Sequence, residues 1–570
     1  MKDPRRGRRK GRRAATLAGL ALFLAAGAPD PARASLARET SGSDSDSASS
    51  AASAHRERGL LLLQQGRYDE ALAELRAAVA ADPRDAVAYD SMGVALAETG
   101  KLDLAEAAFR EAVRLEPGLA AAHFHLGLAH DRAGRTRDAI VAYEEGLRLE
   151  PGLMEARYGL SAVCARIGDL DGAIRLLRQV VEALPGLAAA RHDLGLDLWN
   201  RYKRPGGPRE KADLEEARSQ LEAAVRLDSA EPRYHLVLGQ LLAETESLGP
   251  AVETLRRASE LAGGDPEYAY NLGLALRQAG DYEGAEVQFR AVIRARPGHA
   301  LARRALGLVL RHRDDLPGAA AELRRSVADL PGDAMAHHLL GTVLFRSGDL
   351  PGAIDAFRDA VSLDPGLTEA RIGLAQALQR AGRREEARRE QAEAQRIGEE
   401  SDRLGRALVL LQAAEGQAAR GDRGAALASL REAAQLGPGL PEAHYRLGLA
   451  LARTPAGAAE AERAFRRVLE IDAGHAPARY ELGRLLAARG DAPGAAWELR
   501  QAAELSPGLV EARRALARLA METGDWETAV RELKAVIAWG GGDAGEARRD
   551  LALALDRLAA ASVETPAGPP

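Results

Sequence analysis

The chain has 570 residues, of which 46% are hydrophobic, 28% charged and only 4% aromatic, and its formal charge is −5. That much apolar side chain excludes a disordered chain, and few aromatics beside abundant Ala, Leu and Arg exclude a β-sandwich or barrel, so an all-α fold is expected. The first 34 residues hold nine Lys/Arg against two Asp, which leaves the remainder near −12 and without the positive field that draws proteins to nucleic acid.

Residues 2–13 carry Lys2, Arg5, Arg6, Arg8, Arg9, Lys10, Arg12 and Arg13, followed by an apolar run from Ala14 to Ala28 and then Ala32-Arg33-Ala34. A basic region, a short apolar region and an A-x-A site stand in signal-peptide order, which predicts cleavage after Ala34 and a periplasmic or secreted protein. The run is shorter than the roughly 20 residues a membrane span needs, so an uncleaved inner-membrane anchor is the alternative reading. Residues 35–51, rich in Ser and Asp, read as a disordered linker.

From residue 52 one spacing governs the chain. A small residue recurs at Gly59, Gly93, Gly127, Ser161, Gly195, Gly239, Gly273, Gly307, Gly341, Ala375, Ala414, Gly448, Gly483 and Ala517, mostly 34 residues apart, with insertions of ten, five and one after Gly195, Ala375 and Gly448. Twelve residues on, corrected for those insertions, every unit has alanine, and four further on comes a larger apolar group such as Phe109, Tyr143, Phe289 or Leu533, with Gln391 the exception. Proline closes nine units and is missing at Ser229, Gly263, Glu399, Ala473 and Gly541. Apolar residues at three- and four-residue steps, punctuated by Gly then Asp or Glu as at Gly280-Asp281, predict two helices per unit. One hairpin cannot bury its own apolar face, so the units must stack, each touching only its neighbours.

This pattern resembles the tetratricopeptide repeat, with its Leu-Gly, Tyr, Ala, Phe, Ala and Pro positions. The resemblance implies a right-handed α-α superhelical solenoid of about 14 helical hairpins. Residues 52–399 read as an N-terminal array of ten repeats and 400–543 as a C-terminal array of four. Residues 544–561 read as a capping helix and 562–570 as a disordered tail. The charged stretch 383–406 reads as a long exposed helix and as a candidate joint between the arrays, with a bend there left open.

No nucleotide loop, HExxH or paired-cysteine motif occurs, and the GxGxxG letters at 540–545 follow a helix with no strand before them. The histidines His123, His125, His130, His337 and His338 lack metal-site spacing, and the lone Cys164 stands at a core aliphatic position. No enzyme, metal or cofactor is expected. Positions three before, one after and five after the small residue lie on about one face of each first helix, which in such arrays faces the groove. They place Phe124, Tyr158, His192, Tyr270, His338, Tyr445 and Tyr480 beside Leu128, Leu274, Leu308 and Leu449, and next to Arg132, Arg166, His312, Arg346, Arg380 and Arg453. Such a strip suits a protein or peptide segment bearing acidic groups. The plainer reading is that the leucines pack adjacent helices and the arginines are the usual polar residue of this chain. The expected function is an exported scaffold, with an accessory subunit of an envelope polysaccharide-export or glycan-modifying system as the alternative. The Arg201–Lys211 loop is the alternative binding surface.

Overall fold

A computed structural model of the chain describes residues 45–204, 211–245, 247–539 and 544–564. The described residues form α-helices with one short 3-10 turn, and no strand. Paired helices follow the sequence repeat throughout: Ala120–Arg132 with Thr136–Leu149 in the third unit, Met154–Ile167 with Leu170–Ala183 in the fourth, and so on to Val510–Thr523 with Trp526–Ala538 in the fourteenth.

The small residue of each first helix exists to admit a side chain from the second. A Cβ on Gly273 would lie 2.7 Å from the Phe289 ring, and one on Gly341 would lie 2.7 Å from Phe357. The recurrent alanine is buried in all fourteen units, so the two helices meet there without room for a methylene more. Gly280 turns the chain at φ 83°, after which the Asp281 carboxylate accepts from Gly284 N at 2.8 Å and caps the second helix. Asp315, Asp349, Asp491 and Asp525 repeat that cap.

A second recurring device joins hairpin to hairpin. Arg or His in the first turn of the first helix reaches back to the carbonyl six residues earlier, as His123 does to Pro117, Arg303 to Pro297 and Arg371 to Pro365. Proline leaves that carbonyl in a turn with no helical donor, so the side chain supplies one.

The chain divides into two compact bodies: Met1–Arg201 with Thr454–Pro570, and Tyr202–Arg453. The boundaries fall at the ten-residue and one-residue insertions. They do not fall at 399/400, where the sequence placed the junction of two arrays, because Arg384–Ala419 is one continuous helix. With Glu399 where a proline would stand, nothing stops the second helix of the tenth unit from running into the first of the eleventh. The long helix over 383–406 is therefore present, and it extends to Ala419. The first described helix begins at Ser45, so the last seven residues assigned to the linker are helical. The capping helix spans Ala544–Glu564, burying Ala547 and Ala554, and so takes in the first three residues assigned to the tail. The signal segment 1–34, most of the Arg201–Lys211 loop and Gly540–Asp543 lie outside the described residues.

Expected neighbour-only stacking does not hold in the first body. The Trp526–Ala538 helix packs on Thr136–Leu149, eleven repeats earlier in sequence. Ile140, Val530 and Ile537 are buried on these two second helices and Ile174 on the neighbouring Leu170–Ala183, while Val141 stays exposed as Val287 does in the seventh repeat.

Candidate binding surface

The strip read from the sequence is on the first helices, but the two bodies treat it differently. In the first body most of it is consumed internally. Phe124 and Leu128 are buried, with Phe124 tilted against Tyr143 at 6.1 Å between centroids. Tyr158 is buried and donates to Asp193 at 2.8 Å, Arg166 pairs with Asp131, and Arg132 is half-buried. Each of these polar contacts crosses the seam between adjacent first helices. Tyr480 is half-buried with the Arg484 guanidinium over its ring at 5.6 Å.

In the second body the strip reaches the surface. Tyr270, Leu274 and Leu308 are half-buried, and His312, Arg346 and Arg380 are exposed. His312 stacks on Tyr282 at 4.9 Å, Arg380 lies over Phe345 at 4.7 Å, and Arg346 meets Asp314 at 3.0 Å. Phe345 and Ile372 complete an apolar line that the sequence reading did not include, because they stand in register with Arg or Tyr of other repeats. Burial lowers the affinity of the Arg311 guanidinium for its proton, and the Arg346 charge beside it lowers it further. Like charges are thus crowded on this face. Tyr445 and Leu449 are half-buried and Arg453 is exposed.

A 550 Å³ cleft in the first body lies between Val510–Thr523 and Ala544–Glu564, lined by Arg514, Arg518, Met521, Trp526, Leu553 and Arg557 among others. Arg514 and Arg518 occupy the positions where earlier repeats carry Tyr and Leu, which is why an aromatic pattern passes over it.

His125 bonds Asp90 at 2.8 Å and stacks on Phe109, His130 accepts from Arg135, and His337 bonds the Pro331 carbonyl. Burial pushes the Cys164 thiol well up, as suits a packing residue. Among the described residues no three of His, Cys, Asp and Glu gather as a metal site would need, and no helix is long and apolar enough to cross a membrane.

Family models described as tetratricopeptide repeat match residues 59–100, 91–153, 126–188, 209–266, 270–334, 344–409 and 486–554, which together make up well over half of the chain. The chain belongs to the tetratricopeptide repeat family. Among solved structures it is similar to MamA 41-end from Desulfovibrio magneticus RS-1, at 28% identity over 29% of this chain and 94% of that one, with a TM-score of 0.28. It is also similar to a MamA RS-1 double mutant, at 27% identity over 30% of this chain and 96% of that one, TM-score 0.29. YrrB, titled a TPR protein with an unusual peptide-binding site, matches at 21% identity over 40% of this chain and 96% of that one, TM-score 0.25. No curated protein matches the chain. Tetratricopeptide arrays are in general non-catalytic scaffolds for protein interaction, and this chain has their fold.

Proposed function

We propose that this tetratricopeptide protein is an exported scaffold that holds acidic segments of partner proteins against the first helices of its seventh to tenth repeats. The observation that carries the reading is the run of Tyr270, Leu274, Leu308, Phe345, Arg346 and Arg380, in which apolar surface adjoins guanidinium groups and Arg311 is crowded by the Arg346 charge. A carboxylate placed there gains charge-assisted bonds and relieves that crowding, while its apolar neighbours take side chains.

Export rests on the basic, apolar and A-x-A order of residues 1–34. Amino-terminal sequencing of protein from the native envelope fraction should start at Ser35; intact Met1 in the soluble cytoplasm would reject export. Binding is tested by titrating amphipathic peptides matched in length, one acidic and one with Asp and Glu replaced by Asn and Gln. Arg346→Glu with Arg380→Glu should abolish the preference for the acidic peptide and leave helicity unchanged, since both side chains are outside the core.

A further inference from the structure

In the first body, side chains from the third and fourth repeats meet those of the thirteenth and fourteenth. Glu144 accepts from the Trp539 indole at 2.7 Å and faces Arg513 at 2.9 Å. Asp169 accepts from the Ser506 hydroxyl and from Gly508 N, each at 2.8 Å, while Arg175 donates to the Gly508 carbonyl.

Comparison with sister positions in the other repeats shows what each participant does here in addition. The residue after the large apolar group is Arg or Lys in eleven of the fourteen repeats, from Arg76 and Arg110 to Arg500 and Lys534; the exceptions are Glu144 in the third, Glu222 in the fifth and Ala392 in the tenth. A basic side chain there would confront Arg513 with like charge. Arg303, Arg371 and Arg479 each bond a turn carbonyl and the Glu nineteen residues on; Arg513 does the same with Pro507 and Glu532, and in addition pairs with Glu144. After the closing prolines, Gly118, Gly152, Gly298 and Gly332 have open space where a Cβ would stand, whereas at Gly508 it would strike the Gly172 backbone. Asp169 caps its own helix through Gly172 N, as Asp281 does through Gly284 N, and alone of that pair also receives the distant turn. Glu144 departs from the base that most repeats carry, while Asp169, Gly508 and Arg513 are ordinary residues of the repeat that take on a further partner here, and all four meet at one contact.

The contact sets these polar pairs beside buried Ile140, Val530, Ile537 and Trp539, and its specific bonds are those of the two carboxylates. Closing it removes water from two carboxylates and returns hydrogen bonds to them, an exchange with high geometric specificity and a small net gain. We propose that the contact is a latch: the last two repeats dock reversibly on the third and fourth through Glu144 and Asp169, and the chain interconverts between this closed form and an open form in which the Trp539 indole meets solvent.

Arg137 and Glu504 face each other across the contact at 3.1 Å on exposed side chains, and the native Cys164 is buried. Spin labels on the full chain at Arg137→Cys and Glu504→Cys therefore report closure by pulsed dipolar spectroscopy, and losing an exposed ion pair costs little. The otherwise unmodified labelled chain should show a short-distance population. Gly508→Ala and, separately, Glu144→Arg should each reduce it several-fold with circular dichroism unchanged, while Gly332→Ala leaves it intact. A short distance retained in both variants would overturn the latch, as would its absence from the chain without either variant. Loss on dilution with unlabelled protein would place the contact between copies. Helicity lost together with the short distance in both variants would make the contact part of the folding core and not a latch.

Discussion

The Trp539 indole Nε1 donates to Glu144 Oε1 across 395 residues of sequence, and both side chains are buried. A Trp placed in a core needs a partner for its N–H, and a carboxylate placed there needs donors, so each meets the other's requirement. Trp539→Phe should keep most of the apolar burial and leave Glu144 one donor short, at a cost of about 1–3 kcal/mol. Hydrogen exchange should then rise in 136–149 and 526–538, with 300–347 unaffected. Equal protection in all three segments would show that the bond contributes nothing.

Closure should depend on pH with a defined sign. Burial raises the pKa of Glu144 despite Arg513 and Trp539, with Glu532 adding to the rise. Burial likewise raises Asp169 against the bonds from Gly508, Gly172 and Ser506, with Asp171 adding to it. Groups whose pKa is higher when buried take up protons on folding, so their contribution is fully present below the ordinary carboxylate range and is lost as pH rises through the raised values. Glu144→Gln removes one of these groups while keeping an acceptor for the indole. Melting temperature relative to this variant should therefore be less favourable to the native chain at pH ~8 than at pH ~5. A difference that does not change with pH contradicts the assignment.

Glycines of the first helices should be intolerant where turn glycines are not. Gly273→Ala forces a methyl against Phe289 at 2.7 Å, and overpacking of this kind costs about 1–3 kcal/mol. Gly298→Ala meets open space and should be near neutral. Denaturant midpoints of the two variants decide it, and equal midpoints would mean that the ring moves aside.

The caps offer a matched pair. Asp281→Ala removes a helix cap alone and should cost about 1 kcal/mol. Asp169→Ala removes a cap together with the bonds from Ser506 and Gly508, so its loss should be clearly larger. Chemical denaturation of both would expose the contact as energetically idle if the two losses are equal.

Hairpins, their stacking order, the buried alanines and the Gly-Asp caps are legible in the sequence, because each rests on interactions between residues less than a repeat apart. The long helix was legible too, since charge and a missing proline mark it, but its end at Ala419 was not. What periodicity could not reveal is any contact that breaks the period. Pairing of Glu144 with Arg513 depends on where the chain returns in space, and its one sequence trace is an acid where most repeats carry a base. The binding strip was half legible. Spacing placed Phe124 and Tyr158 on the same face as Tyr270 and Arg346, yet Asp131 and Asp193 on neighbouring helices absorb the polar groups of the former region. Phe345 and Ile372 were missed because they stand one place out of register or replace an aromatic.

The central claim, that partners bind the first helices of repeats seven to ten, is tested most directly by photocrosslinking from Ile372, which lies on the strip and is 46% exposed, and from Val287 on a second helix, 60% exposed. With an acidic amphipathic peptide, a crosslinker at 372 should capture it and one at 287 should not. Arg346→Glu with Arg380→Glu should abolish capture at 372. Capture from 287 as strong as from 372, or capture at 372 that survives the double reversal, would contradict the account.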